Sequence, residues 1–216
     1  MVLNTDKQSF MNYLAHLYIA HEDEDLMIGN FIADFVKGNK YKEYSSEISR
    51  GILMHRQIDF TTDRNKEYIE VKKLFVESHG RYSGIIADMA YDYVLAKHWK
   101  NFCELSLSDF QKKINHILLQ NFSIIPLKGK VMLPFFVRNR WLTLYKELST
   151  LKNVFVGLSK YRGVEGDPDK AIEILESNEN EVFNNFLNTL LTVVTKLKVN
   201  YHEVNNIKNN VIKMII

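Results

Sequence analysis

The stretch SGIIADMAYDYVLAKHWKNF, residues 83–102, decides the fold. Ile85, Ile86, Met89, Ala90, Val94 and Leu95 recur at three- and four-residue spacing, which gives a helix a wide apolar surface and a central place in the core. Working outward, the same spacing returns along most of the chain. Three prolines and nine glycines are few breakers for 216 residues, so the pattern predicts an all-α fold, a single-domain helical bundle.

Upstream, a short helix is expected over residues 13–20. The acidic run Glu22, Asp23, Glu24, Asp25 then supplies a cap and favourable N-terminal charge for a second helix ending near Gly38. A third is expected over 46–60, with Ile48, Ile52, Leu53 and Ile58 on its apolar side, and a fourth runs to Phe75 from an N-cap at Asp63. Downstream, helical patterns cover 108–119, 132–148 and 152–161. A loop at 163–168 precedes one long final helix over 169–198. Residues 1–10 read as an N-terminal extension and 199–216 as an Asn-rich C-terminal tail that frays or docks loosely, leaving 11–198 as the domain.

Composition excludes several classes. Hydrophobic residues at 46% and charged residues at 25% describe a globular chain rather than a disordered one. A net charge of +2 is too small to argue for general affinity for nucleic acid or membranes. No apolar run reaches the roughly 20 residues of a membrane helix. Cys103, the single cysteine, cannot form an internal disulfide, which suits a reducing compartment and a cytoplasmic protein.

Chemistry is expected where ionisable residues interrupt apolar helices, because a buried charge requires a partner. Asp34 stands near a helix end that disfavours negative charge, so it is either a surface carboxylate or the neighbour of a cation. His55 and Asp59, four residues apart, share a helix face as a hydrogen-bonded structural pair or as co-ligands. Arg56, beside them, can hold a phosphate in bidentate fashion or pair with an acid. Asp88 and Asp92, again four apart, repel each other. A divalent cation, a raised pKa or salt bridges would each relieve that conflict. Carboxylates and imidazoles without thiolates suit Mn2+ or Mg2+ better than structural zinc.

Several ordered motifs carry a family resemblance. Asn12-Tyr13-Leu14-Ala15-His16-Leu17, Gly29-Asn30 with Ala33-Asp34-Phe35-Val36-Lys37-Gly38, Gly51 through Asp59, and Asp88 through Trp99 resemble acyl carrier protein phosphodiesterase. Arg140-Trp141-Leu142 and the region of Gly157 and Arg162 extend the likeness toward Lys198. The resemblance implies a fold related to the HD-type metal-dependent phosphohydrolases, with motif order rearranged. It implies Mn2+-dependent hydrolysis of the phosphodiester joining 4′-phosphopantetheine to a serine of holo-acyl carrier protein, with Mg2+ or another divalent cation as a substitute. Carried over by position, Asp34, His55, Asp88 and Asp92 are the expected metal ligands. His55, Asp59, Arg56 and His16 are the expected catalytic groups, Arg56 steadying the phosphate.

One departure matters. Family members read Asp-His where this chain reads Asp92-Tyr93. A weak or inactive carrier-binding protein is therefore the first alternative, and a phosphodiesterase acting on a small molecule or nucleotide the second. The expected protein partner is acidic and helical, so a local basic surface is expected among Lys97, Lys100, Lys128, Lys130, Arg138 and Arg140. Arg138 and Arg140, beside Trp141, are its candidate anchors.

Overall fold

The computed structural model describes residues 13–198, 201 and 205–215, and among them every regular element is helical. The expected extension at 1–10 lies outside the described residues. In chain order the α-helices are α1 (Tyr13–Ile19), α2 (Glu24–Ile32), α3 (Ser46–Thr62), α4 (Lys66–Leu74), α5 (Val76–His79), α6 (Ser83–Lys97) and α7 (Leu107–Gln120). Then follow α8 (Leu127–Arg138), α9 (Trp141–Leu144), α10 (Leu148–Arg162), α11 (Pro168–Ser177), α12 (Glu179–Leu197) and α13 (Asn205–Ile215).

The central helix behaves as its pattern requires. Eleven of the fifteen residues of α6 are buried, and it packs against α1, α4, α10 and α12. An element covered on several sides has no polar face to offer solvent, which is why charges on it need partners within the protein.

Local chemistry sets most boundaries. The Asp23 side chain accepts the amide of Leu26 at 2.9 Å and starts α2. That helix ends at Ile32, earlier than Gly38, because the chain tightens into a 3-10 turn over Ala33–Phe35. Asp63 ends α3 rather than capping α4; Asn65 caps α4 by accepting the Tyr68 amide at 3.0 Å. The segment read as one final helix is two. Asn178 separates α11 from α12 and folds its side-chain amide back onto the Ile174 carbonyl at 2.7 Å. α8 begins at Leu127 and carries Pro134 inside it. Part of the expected loose tail is ordered: α13 buries Ile207 and Val211 and packs on α12.

The closest helix pair is α2 with α3, and two glycines make it possible. A Cβ on Gly29 would lie 2.3 Å from the Ile48 carbonyl oxygen and 2.6 Å from the Gly51 Cα. One on Gly51 would lie 2.6 Å from the Leu26 carbonyl oxygen. The two backbones therefore touch, with no room for a methyl group on either side.

Candidate metal centre

The α2–α3 seam and the arrival of α1 bring four polar side chains together. His55 and Asp59 come from one face of α3, Asp34 from the turn after α2, and His16 from α1. The His16 and His55 rings lie 4.1 Å apart between centroids, tilted by 32°. His16 Nε2 is 3.2 Å from Asp59 Oδ1, while His55 Nε2 is 3.3 Å from both Asp59 Oδ2 and Asp34 Oδ1.

These contacts are close but poorly aligned. Nε2 of His16 and both ring nitrogens of His55 are buried and make no hydrogen bond. Stranding buried nitrogens costs about 1–3 kcal/mol each unless something else satisfies them. His16, His55 and Asp59 each offer an atom within 4.8 Å of the others. Two imidazole nitrogens with one or two carboxylates form a donor set that a divalent cation fits.

The electrostatics agree with tight coupling. Burial alone would lower the His55 imidazole, yet Asp59 and Asp34 raise it to about 10. Burial would raise Asp59, but His55 and His16 hold it well below the usual carboxylate range. A cation held by His55 would displace that imidazolium proton, which would couple its binding to proton release.

The supporting residues fix orientation. Asn30 donates through Nδ2 to the Leu26 carbonyl at 3.2 Å, which turns its Oδ1 to His16 Nδ1 at 3.3 Å. His16 then donates from Nδ1, which leaves Nε2 as the nitrogen that faces Asp59. No signal of spacing could have revealed Asn30 as the partner of His16; its significance lies only in the fold.

The remaining expected site residues are placed differently. Asp92 is fully buried, but its two oxygens accept the amides of Leu14 and Ala15, each at 3.0 Å. The structure thus places this expected ligand at the N-terminal end of α1, which it holds through those amides. Burial pushes its carboxyl well up, against the pull of the two amides. Asp88 accepts a 2.7 Å hydrogen bond from the Tyr68 hydroxyl and lines a cavity of about 30 Å³ beside His16. It is outside the cluster, and burial pushes it up to about 7 despite the Tyr68 bond. Arg56, expected on the phosphate, donates from Nη1 to Gly38 O at 2.8 Å and from Nη2 to Val36 O at 2.6 Å. The reason is position: the loop after Asp34 curls over α3, and Arg56 ties it down. Tyr93 is turned away from these groups, donating to Glu179 at 2.7 Å and accepting from Lys97 at 3.1 Å.

Comparison with known proteins adds what geometry cannot. A family model described as acyl carrier protein phosphodiesterase matches residues 11–193. A protein of Serratia proteamaculans named acyl carrier protein phosphodiesterase is 35% identical over 153 residues, covering 70% of this chain and 79% of its own. A Yersinia pestis protein of the same name is 34% identical over the same shares. One from Klebsiella pneumoniae is 33% identical, also covering 70% and 79%. No solved structure matches the chain. With residues 11–193 matched by the family model and relatives of that name about 35% identical, this chain belongs to the acyl carrier protein phosphodiesterase family.

Proposed function

We propose that this protein hydrolyses the phosphodiester between 4′-phosphopantetheine and a serine of holo-acyl carrier protein, giving apo carrier and free phosphopantetheine. The observation that carries the reading is the convergence of the orphaned His16 and His55 Nε2 atoms on Asp59, in a chain whose relatives bear that enzyme's name. His16, His55, Asp59 and Asp34 would hold the cation, Mn2+ or Mg2+ in this reading. That set replaces Asp88 and Asp92 of the expected ligands with His16 and Asp59. A bound divalent cation supplies phosphoryl polarisation and a water of lowered pKa.

The chain's own residues do the rest. Asn30 holds His16 in one tautomer, and Arg56 fixes the loop that presents Asp34. Asp92 secures α1 against α6, so that His16 reaches α3. The pairing of a second histidine with a His-x3-Asp helix supports kinship with the HD-type phosphohydrolases, with the motif order rearranged. No helix among the described residues is long and apolar enough to cross a membrane, and together with the single cysteine this supports work in the cytoplasm.

The test is the intact mass of purified holo-acyl carrier protein after incubation with this protein and Mn2+. Loss of the phosphopantetheine mass is expected, abolished by chelator and by Asp59→Asn. A carrier that keeps its mass at metal saturation, with the wild-type protein folded, overturns the reading.

A further inference from the structure

One face of α8 is apolar and open. Leu127, Val131 and Phe135 are 78%, 63% and 61% exposed, and their four-residue spacing aligns them as one stripe. The opposite side of the helix buries Gly129, Leu133 and Phe136. Single exposed apolar side chains are ordinary, whereas a continuous stripe marks a contact surface. Exposed Phe122 and Ile124, just before the helix, enlarge it.

Charge is segregated around that stripe. From Gln111 to Lys146 the sequence has no Asp or Glu, although the whole chain carries 28 basic and 26 acidic residues. Lys128, Lys130, Arg138 and Arg140 all lie on or just beyond α8. An apolar stripe on a helix whose only charged residues are basic favours an acidic protein surface.

The helix that carries this face packs, through its opposite and buried side, next to the cluster. A Cβ on Gly129 would stand 3.1 Å from the Phe35 ring, so α8 rests directly on the residue after Asp34. Phe136, on the same buried side, packs edge-on to Phe31 at 5.4 Å.

We propose that the exposed face of α8 docks the protein body of the substrate through an acidic surface next to its phosphodiester. This deepens the phosphodiesterase reading and rests on it: an ester carried on a folded protein reaches the cluster only when that protein lies against the surface beside it. The apolar stripe supplies contact area, and the rim sets orientation and speeds encounter.

The experiment compares the wild-type chain with Val131→Ser/Phe135→Ser and with Lys128→Glu/Arg138→Glu, each checked for an unchanged far-UV spectrum. Hydrolysis is measured with Mn2+ on holo-acyl carrier protein and on bis(p-nitrophenyl) phosphate, and carrier binding by calorimetry. KM for the carrier should rise about tenfold or more in both variants, with weaker carrier binding to match. Hydrolysis of the small diester should stay within about twofold. An unchanged KM for the carrier, or equal loss on both substrates, overturns the proposal. So does binding to phosphatidylserine vesicles that the variants lose while carrier kinetics stay intact. A wild-type protein that cleaves the small diester but not the carrier defeats the substrate reading. Calorimetry then decides docking separately: carrier bound by wild type and lost in the variants upholds it, and absence of binding refutes it.

Discussion

At the scale of single residues, one kind of side chain takes two different roles. Asp59 is a member of the cluster, and its removal deprives both imidazoles of their shared anion. Asp59→Asn should weaken Mn2+ binding by about a hundredfold, the upper end seen when a site's polar partners are lost; isothermal titration would show it. Asp88 acts on stability instead. Its folded pKa of about 7 lies above the ordinary 3.8, so the folded state holds more protons between those values, and stability falls as pH rises from about 4 to about 7. Metal-free wild type should therefore melt lower at pH 8 than at pH 5. His55, raised to about 10, adds to that fall above its ordinary 6.5, so Asp88→Asn should reduce the slope chiefly between about pH 4 and 6.5 while Tyr68 keeps an acceptor, and an unaltered slope there would exclude Asp88 as a source. The sequence showed His55 and Asp59 on one face and named His16 and Asp34, but the role of Arg56 was invisible in it. A guanidinium that binds backbone carbonyls leaves no trace in spacing.

At the scale of elements, the i and i+4 rule worked within helices and failed between them. Asp88 and Asp92 do share one helix, yet one meets the Tyr68 hydroxyl on α4 and the other meets amides of α1, 77 and 78 residues earlier in the chain. Which neighbour covers each turn of a buried helix is decided by tertiary packing, which a pattern of apolar residues does not encode. Asp92→Ala should destabilise the protein by about 2 kcal/mol, the loss expected for a helix cap that leaves two buried amides unpaired. It should also weaken metal binding through displacement of His16, and chemical denaturation paired with titration would separate the two effects. Gly51→Ala places a methyl group against the Leu26 carbonyl oxygen at 2.6 Å. Backbone cannot rotate away as a side chain does, so a cost of about 3 kcal/mol is expected, readable as a lower melting temperature and a lost metal site.

At the scale of the whole molecule, the sequence made the all-helical class and most helix positions legible because period and capping are local properties. The break at Asn178 and the ordering of α13 escaped it. Asparagine is a modest helix former as well as a good stop, and α13 has amphipathic character that matters only once α12 is present to receive Ile207 and Val211. Ending the chain at Lys198 removes buried Tyr201 as well as Ile207 and Val211, and should therefore lower stability by about 4 kcal/mol or more at the usual transfer value for buried side chains. Urea denaturation would reveal it, and an unchanged midpoint would show α13 to be dispensable. Metal binding by the truncated chain should persist, since α13 contributes nothing to the cluster.

The Gly29–Gly51 contact has a consequence for ion choice. Asp34 follows from α2, while His55 and Asp59 ride on α3, so the gap between the two groups of donors is gauged by backbone touching backbone. A side-chain spacer could yield by rotating; this one has none. The backbone share of the proposed site's aperture is thus held nearly constant, and cations offered to it should be sorted by ionic radius, a discrimination to which two missing methyl groups contribute beside the ligands themselves.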